Sequence, residues 1–195
     1  MTAMAARSVV DTRTRVLETA LVLFTKHGVE GTSLQMIADA MGVTKAAVYY
    51  HFKAKDEITE AVAEPVLARL GAIVREARAM RRRGAQVDHV LTNVVDMVVG
   101  HRALAAVFSS DPGVARALER SLHDEENVQE CLTELLVGPA PEPGAVVAAH
   151  VALAGIALAG GSPDLADLPD DELRRHLLES GRRLLGRPRR ATRAR

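Results

Sequence analysis

Thr44-Lys45-Ala46-Ala47-Val48-Tyr49-Tyr50-His51-Phe52 is the stretch on which the fold of this chain turns. It holds both tyrosines and one of the three phenylalanines of a 195-residue protein. Thr44 is a hydroxyl residue suited to cap a helix, and Lys45 and His51, followed by Lys53 and Lys55, surround the rings with nitrogen donors. Aromatic faces beside such donors combine apolar contact with the capacity to hold phosphate oxygens, which a helix serving only a core does not need.

Upstream, Thr12 to His27 sets Val16, Leu17, Ala20, Leu21, Leu23 and Phe24 on one helical stripe, and Gly28 stands where that helix stops. After Gly31, Thr32 or Ser33 is placed to cap a second helix whose apolar face is Leu34, Ile37, Ala38 and Met41. Gly42-Val43 then supplies a turn, and Thr44 opens a third helix that runs to about Phe52. Two short helices joined by a short glycine-containing turn predict a helix-turn-helix, and small Ala38 allows the two to cross closely.

Thr12 to Ala61 resembles the DNA-binding domain of the tetracycline-repressor (TetR) family, over about a quarter of the chain. The likeness is carried by Ala20, Phe24, Gly28, Gly31-Thr32-Ser33, Ile37-Ala38, Gly42-Val43, Tyr49-Tyr50-His51-Phe52 and Lys55. The resemblance implies that Lys45, Ala46, Ala47 and Tyr49 face base edges, with Thr32, Ser33, Thr44, Tyr50, His51 and Lys55 near phosphates. Each role suits its residue type: Lys45 donates to guanine acceptors, Ala46 and Ala47 admit close approach to a thymine methyl, and hydroxyls at a helix start meet phosphate. Val48, Ile37 and Phe52 are expected in the core, and Lys53 is expected to be solvated. Since this face lacks amide or guanidinium side chains, shape readout or an amino-terminal arm including Arg7 is expected to add specificity.

Hydrophobic residues make up 48% of the chain and charged residues 26%, enough for a packed core. A formal net charge of zero hides a polarity: Lys and Arg against Asp and Glu number 7 to 4 over residues 1–55, 13 to 21 over 56–186, and 5 to 0 over 187–195. The expected division is therefore a DNA-binding head with an amino-terminal arm (1–55), a regulatory and dimerisation body (56–186) and a flexible basic tail (187–195). One cysteine, Cys131, forms no internal disulfide and is expected to be a small buried hydrophobe in a cytoplasmic protein. No secretory signal is expected. Gly144 to Gly161 is apolar, but its alanine and glycine content and His150 at its middle favour a buried or partner-facing helix over a membrane span.

Beyond the head, a long helix is predicted from Lys55 to about Met80, with Pro65 removing a backbone donor inside it and Arg81-Arg82-Arg83-Gly84 as its exposed end. Further helices are predicted at 87–100, 102–109, 114–137, 145–159 and 170–185. The proline-rich segment 138–144 and residues 162–169 serve as connectors. With no strand signal, the expected fold is all-α: a three-helix helix-turn-helix domain followed by a helical ligand-binding and dimerisation domain.

A single recognition helix touches few bases, so a homodimer on a pseudo-palindromic double-stranded DNA operator is expected. Candidate interface residues are Ala148, Ala152, Gly155, Ile156, Leu177 and Leu184, on two helices that the family resemblance places in a four-helix dimer contact. Val94, Val98, His101, Phe108, Leu118, Leu122 and Leu132 are candidates for the lining of a small-molecule effector pocket. His89, His101, His123, His150, Asp96 and Cys131 could be gathered into a metal site only by choosing among residues on different helices, so neither a metal nor another cofactor is expected. There is no phosphate loop, nucleophile turn or His-Glu-x-x-His motif, and an enzyme is not expected. The function implied is a repressor released from its operator by a small ligand, and the alternative is an architectural or ligand-independent DNA-binding protein.

Overall fold

The structure, a computed structural model, describes residues 2–110 and 128–186, with side chains described over 12–107 and 128–186. Its elements are α1 (Thr2–His27), α2 (Leu34–Met41), α3 (Lys45–His51), α4 (Lys55–Arg78), α5 (Arg83–Gly100), α6 (Arg102–Ser110), α7 (Val128–Val137), α8 (Pro143–Gly160) and α9 (Asp170–Leu184), with a single 3-10 turn at Pro163–Leu165. The described residues contain no strand, as the all-α expectation requires. They fall into two compact units, one running to Pro65 and the other taking up at Val66. The first turns of α4 thus belong with the head, which extends past Lys55 because Ile58 and Val62 are buried.

In the first unit α1 packs on α2 and α2 on α3. Val16, Ala20, Phe24, Ile37, Ala38, Val48 and Phe52 are all buried, which is the apolar set that the helical spacing selects. Arg13 stacks its guanidinium 4.9 Å from the Phe52 ring centroid, tying α1 to the end of α3. α1 begins at Thr2, ahead of the expected Thr12, since the intervening residues contain no glycine or proline to stop a helix.

The Ser33 hydroxyl caps α2 by accepting from the Met36 N–H at 3.2 Å. Gly42 ends it in the left-handed region (φ 68), and the Val43 N–H donates to the Ala38 carbonyl at 3.0 Å. The Thr44 hydroxyl then accepts from the Ala47 N–H at 3.3 Å and starts α3. Three residues, Gly42 to Thr44, join α2 to α3, and each has a hydrogen-bonding or conformational task.

α5 is the spine of the second unit and packs against α7, α8 and α9. Seven of its residues, Val87, Val90, Leu91, Val94, Val95, Val98 and Val99, are buried. Its neighbours come unusually near: a Cβ on Gly160 of α8 would lie 1.9 Å from Val98 Cγ1, and one on Gly181 of α9 would lie 2.7 Å from Leu91 Cδ1. Only hydrogen fits at those points. The connector between α8 and α9 is clamped by Arg102, which donates to the carbonyls of Leu165 (2.9 Å), Leu168 (3.1 Å) and Ala166 (3.2 Å) and pairs with Asp170 at 3.4 Å. α9 opens with Asp170, Asp171 and Glu172 and closes with Arg182 and Arg183, matching its dipole.

Residues 81–84 do not form the end of α4, contrary to the sequence expectation. α4 stops at Arg78, and Arg83 opens α5. The reason lies across the fold, where Arg83 donates to the Leu135 carbonyl in the last turn of α7 and passes its side chain against Gly138. A cation at the start of one helix serves the negative end of another. In the predicted helix 114–137, the described part is α7, and residues 114–127 lie outside the described residues. α8 starts at Pro143, two residues early, because proline fits a first helical turn that lacks donor partners. By length and composition α8 is apolar enough to cross a membrane; here Ala149, Ala152 and Ile156 are buried against the rest of the second unit.

Candidate nucleic-acid interface

α3 buries Val48 and presents Lys45, Ala46, Tyr49 and Tyr50 to solvent, with Ala47 and His51 half-buried. Tyr49 is 49% exposed and Tyr50 71%, large values for aromatic side chains in a small domain. Tyr50 stands edge-on to the His51 ring at 5.2 Å between centroids. The caps and the buried Ile37, Ala38 and Val48 fix α3 from behind, so the exposed side chains project from a supported helix.

Ser33 and Thr44, expected near phosphate, are exposed, and each spends an acceptor lone pair on its helix cap. The hydroxyl hydrogen of each stays available to donate. Thr32 is placed differently: it is 2% exposed, and its hydroxyl donates to the Gly28 carbonyl at 2.8 Å. Thr32 is thus an internal brace of the α1–α2 loop. The Lys55 ammonium reaches the Glu30 carbonyl (3.3 Å) and carboxylate (3.6 Å), linking the start of α4 to the same loop.

Lys53 is not merely solvated. Its ammonium donates to the Tyr49 carbonyl at 2.9 Å and lies 4.8 Å from the Tyr49 ring centroid, while its backbone N–H donates to Glu57 Oε2 at 2.9 Å. Sequence spacing held a hint of this, since Lys53 stands four residues after Tyr49, where a lysine reaches the last carbonyls of a helix. The Arg7 side chain lies outside the described residues.

In the second unit, the effector-pocket candidates Val94, Val98 and Leu132 are packed into the main core, whereas His101 is exposed. The side chains of Phe108, Leu118 and Leu122 lie outside the described residues. An open groove of about 920 Å³ sits elsewhere, lined by Arg78, Gln86, Thr133, Val137, Val146 and His150 among others. Of the interface candidates, Ala152, Ile156 and Leu177 turn out to be buried within the unit, Ala148 is half-buried, and Gly155 and Leu184 are exposed. α8 instead turns outward Val147 (61% exposed), Val151 (50%) and Leu158 (55%). Alanine and glycine periodicity does not reveal which side of this helix faces inward, because α8 is apolar all round.

Residues 16–62 match the family model described as bacterial regulatory proteins, tetR family. Residues 16–62 are thus similar to the DNA-binding domain of TetR-family regulators. The chain is 41% identical over 69 residues to the HTH-type transcriptional regulator AcrR of Shigella flexneri, covering 35% of this chain and 32% of that protein. It is 47% identical over 47 residues to the probable acrEF/envCD operon repressor of Escherichia coli strain K12, covering 24% of this chain and 21% of the repressor. The chain spans about a third or less of the length of these two curated relatives. Among solved structures, a TetR-family member from Streptomyces coelicolor aligns with a TM-score of 0.68 at 18% identity, over 90% of this chain and 91% of that one. The ketosteroid transcriptional regulator KstR2 of Mycobacterium tuberculosis aligns with a TM-score of 0.65 at 16% identity, over 90% and 93%. The family model thus falls within the head, and likeness of fold extends over 90% of the chain.

Proposed function

We propose that this protein is a DNA-binding transcriptional regulator of the TetR family, a homodimeric repressor whose hold on its operator weakens when a small-molecule effector binds the body. The observation that carries the reading is the exposure of Tyr49 and Tyr50 beside Lys45 and Ala46 on a helix capped by the Thr44 hydroxyl and backed by a buried core. Tyr49, Lys45, Ala46 and Ala47 meet base edges, while Ser33, Thr44, Tyr50 and His51 address phosphates. Lys55 holds the α1–α2 loop through Glu30 and offers its remaining ammonium hydrogen to a phosphate.

Two copies meet through the outward apolar side of α8, with Val147, Val151 and Leu158, and through Leu184 of α9. Pairing doubles the number of bases read and requires half-sites about one helical turn apart. The effector enters the groove beside α4 and α7, a space of ligand size that touches the last turn of α4 at Arg78. An effector with different affinities for two body conformations then shifts the population that binds DNA.

The test is to incubate the purified full chain with sheared genomic DNA from its source, recover bound fragments at moderate salt and sequence them. One enriched pseudo-palindrome is the expected result. Diffuse recovery without a common site overturns the reading in favour of architectural binding.

A further inference from the structure

Lys53 sits at a junction that the DNA-contact assignment does not use. It follows α3 directly, and its ammonium donates to the Tyr49 carbonyl at 2.9 Å and lies 3.5 Å from that of Tyr50. The same ammonium stands 4.8 Å from the Tyr49 ring centroid and 6.0 Å from that of Tyr50, within reach of a cation–π attraction for the first and at its limit for the second. Its backbone is fixed as well, because the Lys53 N–H donates to Glu57 Oε2 at 2.9 Å in the first turn of α4. An exposed lysine free in solvent has no reason to fold back over its own helix, since losing its rotamer freedom costs free energy. Here the negative end of α3 and two electron-rich ring faces offset that cost.

We propose that Lys53 is a positioning residue that sets the orientation of the Tyr49 and Tyr50 rings on the reading face before any DNA arrives. The cation serves as a strut: the two carbonyls fix the ammonium, and the ammonium limits the ring rotamers. Pre-set rings lose less freedom on binding, so affinity rises without a new contact to DNA. The role in DNA binding rests on the function proposed above. The placement of the rings does not.

The chain has two tyrosines and no tryptophan, so tyrosine fluorescence and the tyrosine band in near-ultraviolet circular dichroism report on these two rings alone. In free full-length protein, Lys53→Met should weaken the near-ultraviolet band and alter the emission, and Lys53→Arg should restore both. Unchanged far-ultraviolet dichroism shows that each variant is folded. Identical tyrosine spectra in the parent and Lys53→Met overturn the proposal.

On the DNA fragment recovered by genomic selection, Lys53→Met should weaken binding about two- to five-fold, the range expected for an exposed cation–π contact. That loss should shrink to within error in a Tyr49→Ala background, and the dependence of log K on log salt should keep its slope. An equal loss in both backgrounds together with a slope smaller by about one makes Lys53 a phosphate contact and overturns the proposal. If the parent protein selects no fragment, the repressor reading fails while the spectra still decide where Lys53 acts.

Discussion

At the scale of single residues, the structure separates side chains that face solvent from those that hold the reading helix in place. Tyr49→Ala removes an exposed ring from a helix whose buried contacts are made by Val48, so the variant should fold normally. Its affinity for the selected operator should fall by about 1 to 3 kcal/mol, measured by anisotropy of a labelled duplex. Normal operator binding by folded Tyr49→Ala removes this ring from the reading face. Thr32→Val gives the opposite pattern, because the lost hydroxyl is buried and braces Gly28. It should cost about 1 kcal/mol in denaturant unfolding and leave operator affinity per folded molecule unchanged. A loss of affinity without a loss of stability would return Thr32 to the phosphate contacts. Residue type alone does not distinguish Thr32 from Ser33: both are hydroxyls at a helix start, and only the path of the loop after Gly31 decides which is turned inward.

At the scale of elements, the boundaries marked by caps and glycines were legible in the sequence. Ser33, Gly42 and Thr44 mark their helix ends through local hydrogen bonds and a local backbone angle, which neighbouring residues determine. Gly42→Ala should therefore destabilise the head by about 1 kcal/mol through its left-handed backbone alone, since a methyl there meets no atom within 4 Å. A thermal shift of the head's transition checks this, and an unshifted transition would mean that the turn relaxes at no cost. The start of α5 was not legible, because Arg83 takes its partner from Leu135, far along the chain. The same holds for Arg102, whose three carbonyl acceptors lie in the connector after α8. Arg102→Ala should cost about 2 kcal/mol in the unfolding of the full chain, whereas a neutral result would show that water replaces the guanidinium at those carbonyls.

For the whole molecule, the proposed self-association rests on a face that periodicity could not select. α8 is apolar on every side, so a sequence count gives equal weight to buried Ala152 and Ile156 and to exposed Val147, Val151 and Leu158. Val151→Glu places a charge on the outer side while sparing the inner one. Sedimentation should show the parent as a dimer and this variant as a monomer, with operator affinity reduced at least about ten-fold because two half-sites are no longer bound together. A variant that stays dimeric moves the interface away from α8.

The glycines at the end of α8 have a mechanical consequence. Gly160 admits Val98 of α5, and Gly161 comes so near the backbone of α6 that an added Cβ would lie 2.3 Å from the Ala106 nitrogen. Such notches act as detents, because any side chain brought to the place of Gly160 would run into Val98. A shift of the end of α8 against α5 or α6 therefore has to displace Val98 or the Ala106 backbone, as one gear tooth seated in another resists slipping.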